Sequence, residues 1–470
     1  MLNGPEKRGS LPERARLLPL TIITKIVTTK THRALEIAEL VEMICFHAAH
    51  GAQLNADRNR DMLSLESPDV FGEPALDLLL WEGQDGIINV LKTMADDLWK
   101  VDSDRETSVR ALRPIKAGDW ARFHVYARRV KLLLWIGYSY SALETGSPVS
   151  DAWSPVFALL AETLPVEHIF PNLKELFWRV GGRDYLTSVN LFLAPRLETI
   201  YFGDLATDAH LAILPTLSTR CPCLTRIQQG PHFLPLRAPT ESSKFPSLRE
   251  IGLASTPYVF VPAFFALNET WTLRHISMTT SSAPSAAETA GLYALVAGCC
   301  DHTTLGTLKI SSSVGTIPAA QIADSVITPD GLRPLFCFRN LRRIDLYPPA
   351  GLDLDDTTVA DLARAWSKVK SMHLGGGAYR RPPSRVTLAG IRALARKCHQ
   401  LQFLGFPFNA SIVPDDAPPA GGNTSQVLWF EVYDTPLLDP ATVAAYLSKL
   451  FPRLRKISTA AQVPLCRLRT

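Results

Sequence analysis

Thiols, imidazoles and glycine-rich turns are where chemistry would start, and their spacing here does not assemble a reaction. Cys221-Pro222-Cys223 and Cys299-Cys300 bring thiols close in sequence. A zinc site needs two-residue spacers and a second pair in register, so these pairs read as structural. Gly375-Gly376-Gly377 reads as a turn, because no basic helix start follows to cradle phosphate. No Gly-rich Lys loop, His-Glu-x-x-His pair or Gly-x-Ser-x-Gly elbow occurs. His275 and His373 sit within short apolar-alternating segments and read as strand residues rather than as a catalytic base. These readings name no catalytic residue, metal ligand or cofactor, and they predict a protein that is not an enzyme.

Composition narrows the partner. The chain has 470 residues, 46% of them hydrophobic, with 49 Lys+Arg against 45 Asp+Glu. That is globular composition, and the small net charge argues against nucleic acid as the main partner. No run approaches the ~20 apolar residues of a membrane span. Eight cysteines at irregular intervals fit reduced thiols, hence a cytoplasmic or nuclear protein. Residues 1–33 read as a basic, disordered tail.

The elements that must position any site come in two kinds. Residues 34–100 read as a unit of about three short helices. Ile37, Leu40, Val41 and Ile44 make one apolar face; Pro74 opens a second helix; Ile87, Val90, Leu91, Met94 and Leu98 mark a third. Residues 101–129 read as a charged linker and one more helix. From Val130 the pattern changes: apolar, two residues, apolar, one residue, apolar. Copies include Leu173…Leu176…Trp178, Leu197…Ile200…Phe202, Leu248…Ile251…Leu253 and Leu341…Ile344…Leu346. The ten intervals from Leu173 to Leu454 average about 28 residues, within the range of leucine-rich repeats.

Residues 130–470 are therefore expected to form an irregular leucine-rich-repeat solenoid, an α/β repeat with strands on a concave face and helices on a convex face. Insertions are expected near 279–290 and 412–425. One repeat cannot bury enough apolar surface to order its own backbone; stacked copies can. The residues between the inward positions should face the concave side: Phe177, Tyr201, His275, Arg343, Asp345, Tyr347, His373, Phe403, Trp429, Glu431 and Tyr433. Aromatics beside Arg are what protein-recognition surfaces favour.

Leu35-Glu36-Ile37-Ala38-Glu39-Leu40-Val41-Glu42-Met43-Ile44, Met62-Leu63-Ser64-Leu65, Phe71 and Glu73-Pro74-Ala75-Leu76-Asp77-Leu78-Leu79-Leu80-Trp81 occur in that order. Asp119-Trp120-Ala121-Arg122-Phe123, Tyr126-Ala127-Arg128-Arg129-Val130 and Phe170-Pro171-Asn172-Leu173 follow. The chain resembles the F-box and leucine-rich-repeat proteins that mushroom-forming fungi carry in large numbers. The resemblance implies an N-terminal three-helix F-box-like module at 34–100 that docks on the adaptor of a cullin-RING ubiquitin ligase. It implies repeats that hold a protein substrate for ubiquitination, in a chain that is monomeric before assembly. By position, Leu35, Ile37, Leu40, Ile44, Leu65 and Phe71 would contact the adaptor.

Two features depart from the family pattern. Ala38 replaces a usual Pro, and Glu66-Ser67-Pro68-Asp69-Val70 stands where an apolar helix is expected, with Pro68 set to break it. They leave open an alternative, a non-catalytic scaffold whose F-box no longer binds the adaptor.

Overall fold

The computed structural model describes most of residues 86–459. Residues 1–85, 103–107, 137–153, 180–187, 204–208, 231–243, 259–260, 313–316, 376–383, 415–424, 434, 437–438 and 460–470 lie outside the description. The first helices expected in 34–100 therefore fall outside it.

The described chain opens with helix α1 (Gly86–Leu91), which is shorter than the pattern through Leu98 suggests. Thr93 turns back on it, donating from both its N–H and its hydroxyl to the Val90 carbonyl. The chain then forms a small antiparallel hairpin, β1 (Trp99–Asp102) with β2 (Ser108–Ala111), across what reads as a charged linker. Helix α2 (Trp120–Ala127) follows, burying Trp120, Phe123 and Ala127. Asp119, just before it, is clamped by Arg113 at 2.7 Å.

The rest of the fold is one sheet. Twelve strands, all parallel, lie side by side in strict chain order. They are β3 (Leu132–Ile136), β4 (Glu175–Arg179), β5 (Thr199–Gly203), β6 (Arg226–Gln229), β7 (Glu250–Thr256) and β8 (His275–Thr280). Then come β9 (Thr307–Ser312), β10 (Arg343–Tyr347), β11 (Ser371–Leu374), β12 (Phe403–Gly405), β13 (Trp429–Glu431) and β14 (Lys456–Ser458). The returning helices are α3 (Ser154–Thr163), α4 (Ala209–Arg220), α5 (Val261–Phe265), α6 (Ala286–Cys299), α7 (Pro329–Leu332), α8 (Asp356–Ala365), α9 (Leu388–Lys397) and α10 (Pro440–Leu450).

This corrects the expected fold class. The described residues form a twelve-stranded all-parallel α/β sheet; they do not show a three-helix module followed by a leucine-rich-repeat solenoid. The apolar triplets do fall on strands, but a triplet specifies only that a strand exists and which side of it is buried. It leaves the return path open, and the paths differ. Between β4 and β5 the described residues are a helical end at 188–189 that runs into a 3₁₀ turn (Asn190–Phe192); β7 returns to β8 by the five-residue α5, and β8 to β9 by the fourteen-residue α6. Of the expected insertion at 279–290, Thr279 and Thr280 end β8 and Ala286 begins α6. There Ser285 accepts from the Glu288 N–H while Glu288 reaches back to the Ser285 N–H, a capping box.

A recurring turn explains the X-Pro steps. Phe170, Ala194, Cys221, Phe245 and Phe451 are all buried, and Pro171, Pro195, Pro222, Pro246 and Pro452 follow them. In each case the N–H of the first strand-leading Leu (Leu173, Leu197, Leu224, Leu248, Leu454) donates to the carbonyl of the buried residue. That is a four-residue turn with Pro at its second position, where a fixed φ is already correct. Cys221 opens such a turn and Cys398 opens one of the same hydrogen bonding with His399 in place of Pro; burial pushes each thiol up to about 12.

Behind the sheet the strands bury Leu176, Ile200, Ile227, Ile251, Ile276, Leu308, Ile344, Met372, Leu404 and Phe430 against the helices. In α8, Asp355 accepts from the Thr358 N–H. Asp356, the first residue of α8, accepts from the Thr387 N–H, the Thr387 hydroxyl and the Gly390 N–H at the start of α9. Gly390 permits that approach: a Cβ there would stand 2.5 Å from Asp356 Oδ1. No described helix is long and apolar enough to cross a membrane.

Candidate functional site

Because the strands pair in register, residues between the buried positions form rows across the other face of the sheet. One row runs Phe177, Tyr201, Gln228, Gly252, Ser277, Lys309, Asp345, His373, Gly405, Glu431, Ser458. A neighbouring row runs Glu175, Thr199, Arg226, Glu250, His275, Thr307, Arg343, Ser371, Phe403, Trp429, Lys456. Most of these side chains are half-buried or exposed.

Not all residues expected on this face meet. Phe177 and Tyr201 touch on adjacent strands, with ring centroids 5.8 Å apart. With strands about 4.8 Å apart, His275 lies about 19 Å from Phe177 and Asp345 about 29 Å. Arg343, Asp345, Tyr347, His373, Phe403, Trp429, Glu431 and Tyr433 come from β10 to just past β13 and gather at the far end. Leu35, Ile37, Leu40, Ile44, Leu65 and Phe71 lie outside the described residues.

Asp345 organises the gathered group. Expected on the exposed face, it is only 4% exposed. Arg343 Nε donates to its Oδ2 at 2.7 Å and His373 Nδ1 to its Oδ1 at 3.0 Å. Burial pushes the carboxyl up, but hydrogen bonds and charge from His373 and Arg343 outweigh it and hold Asp345 below the usual carboxylate range. Lys309 Nζ stands 4.0 Å from Asp345 Oδ2. Desolvation and repulsion from Arg343 lower the Lys309 ammonium, against the pull of Asp345.

Next to this pair the face turns aromatic. Tyr347 stacks on His373 at 6.5 Å. The imidazole lies over Gly405, where a Cβ would come within 2.4 Å of His373 Cδ2. Tyr433 follows β13 in a left-handed conformation (φ 45°), rare for a bulky residue, and its hydroxyl also stands near Gly405. Burial pushes the Tyr347 hydroxyl up, with help from the charges of Asp345 and Glu431. Burial also raises the Glu431 carboxyl, with His373 opposing.

The corner nearest β14 is the most exposed aromatic surface on this face. Phe403 and Trp429 are each 38% exposed and meet at 6.2 Å, edge to face. Lys456 Nζ lies 4.1 Å from the Trp429 ring centroid, and Trp429 Nε1 donates to Ser458 Oγ at 2.7 Å. The ring is thereby held in place with one side in solvent.

Toward β6 the polar residues pair off, Arg226 Nε donating to Glu250 Oε2 at 2.7 Å. His275 is lowered by burial and by Lys309, with Glu250 opposing. Lys309 was missed from sequence; its signal was its position between Leu308 and Ile310, the alternation that identified Asp345. No group of three or more His, Cys, Asp or Glu among the described residues is placed to hold a metal ion. Chemically the arrangement offers a neutralised buried carboxylate, a braced aromatic edge and two charges. No family model matches the chain, and no curated protein matches it.

Proposed function

We propose that this chain is a non-catalytic receptor that holds a protein partner on the exposed face of its sheet. On this reading the N-terminal segment around residues 35–81 recruits the adaptor of a cullin-RING ubiquitin ligase. The observation that carries the first half is the Phe403–Trp429 pair, two large rings exposed on adjacent strands and braced by Lys456 and Ser458. A braced ring loses little conformational entropy on binding and removes much apolar area from water, which is why such residues become anchors. Support for the second half is the sequence resemblance alone.

Two double variants separate the halves. Phe403→Ser/Trp429→Ser should lose the protein partner and keep the adaptor. Leu40→Asp/Phe71→Asp should do the reverse in co-purification with purified adaptor. Native chain that fails to capture adaptor at high concentration overturns ligase recruitment and leaves a binding scaffold. The Glu66-Ser67-Pro68-Asp69-Val70 run favours that second reading. Partner capture unchanged by the aromatic variant overturns the face itself as the site.

A further inference from the structure

The following rests on the protein-binding reading and adds the partner's chemistry. Lys309, Asp345, His373, Gly405 and Glu431 occupy consecutive strands at one register position, forming a straight row across β9 to β13. Its middle is electrically closed, since Asp345 is bonded by Arg343 and His373. Its ends are open. Lys309 and Arg343 share the single carboxylate of Asp345, leaving one positive charge in excess at the β9 end. At the other end Glu431 has no cation within ion-pair distance among the described residues, and it sits where burial disfavours its charge.

We propose that this row binds an extended protein segment of mixed charge, with an acidic side chain over Lys309 and a basic side chain over Glu431. Four strand steps of about 4.8 Å separate the poles by about 19 Å. Extended chain rises about 3.3 Å per residue, so the two charges lie about six residues apart. Between them the segment crosses the imidazole of His373, which covers Gly405. An apolar residue beside its basic end reaches Phe403 and Trp429. Each pole is already partly desolvated, so an opposite charge placed there gains more than it would on an open surface. The order of the poles also sets the direction of the segment, because reversing it places like charges together.

The test is selection from a random dodecapeptide display library on the full-length protein. Enriched peptides should carry an acid and a base about six residues apart. Each should bind about tenfold more weakly to Lys309→Gln and to Glu431→Gln, the scale of one lost charged contact. The double variant Lys309→Glu/Glu431→Lys should enrich the opposite polarity. Unchanged thermal melting of the Gln variants confirms that the face is intact. Apolar peptides that depend on Phe403 and Trp429 but ignore both Gln variants overturn this inference and leave the protein-binding reading standing. Failure to enrich any peptide above the Phe403→Ser/Trp429→Ser control overturns both.

Discussion

The two ends of the sheet use the same strand spacing and are held together differently. Behind β3 to β5 the core is a block of rings: Trp135, Phe157, Trp178, Phe170 and Phe192 contact one another at 5.2–6.0 Å. Behind β10 to β12 it is mostly aliphatic, with Ile344, Leu346, Met372, Leu374 and Leu404, and its helices are locked by Asp355, Asp356 and Thr387. The contrast extends to buried indoles. Trp178 Nε1 has no hydrogen-bond partner among the described residues, whereas Trp366 Nε1 donates to the Leu335 carbonyl. Among the described residues the first end packs rings behind its strands, and the second adds aspartate caps that tie one helix to the next. On the exposed face the described residues place the Phe177–Tyr201 pair at the first end and the group around Asp345 and Trp429 at the second.

The largest expected effect is at the ring block. Trp178→Ala should cost about 3–5 kcal/mol in denaturant unfolding, because the surrounding rings cannot collapse into the space. A loss below that of a core aliphatic would show that the first end is not held by its rings.

Next comes Asp345→Ala, expected to cost about 2–3 kcal/mol by leaving Arg343 and His373 without their acceptor. The pH dependence identifies the cause. Asp345 has a depressed pKa in the folded state. Its contribution is therefore complete above the unfolded value of about 3.9 and is lost as pH falls through the lower folded value. Asp345→Asn should flatten that acid limb of the stability curve; an unchanged limb would mean other carboxylates govern it.

The indole pair gives a smaller, sharper test. Trp366→Phe removes a satisfied donor and leaves the Leu335 carbonyl short, for about 1–3 kcal/mol. Trp178→Phe removes an unsatisfied one, so its loss of volume is partly offset and the cost should be about 1 kcal/mol lower. Equal losses in parallel melts would erase this distinction between the ends. Smallest in stability is Trp429→Ala, expected to change unfolding by less than about 1 kcal/mol because its ring is already partly in water. Its effect should appear in partner capture instead.

Much of the strand plan was legible in the sequence. Leu341…Ile344…Leu346 or Leu248…Ile251…Leu253 must bury alternate side chains, and the Pro after Phe170 or Phe245 marks the turn that precedes each strand. Tyr347, His373, Phe403 and Trp429 could be placed on the opposite side by the same alternation. Asp345 shows the limit: alternation assigns its side of the strand and places Arg343 two residues away, but His373 on β11 and Lys309 on β9 join them only in the folded sheet. Glu431 was legible as a face residue, but its having no cation within ion-pair distance among the described residues depends on which groups the neighbouring strands bring beside it.

The sequence by itself determined where strands begin, which of their side chains are buried and where turns precede them, because these follow from local periodicity and backbone restriction. Only the tertiary structure decided that the strands join into one continuous parallel sheet and that the described returns range from the five-residue α5 to the fourteen-residue α6. It alone set which charges in a row are cancelled and which stay open. Those outcomes depend on contacts between segments 24 to 36 residues apart; the apolar alternation sets which face each side chain takes, but not which groups meet on that face.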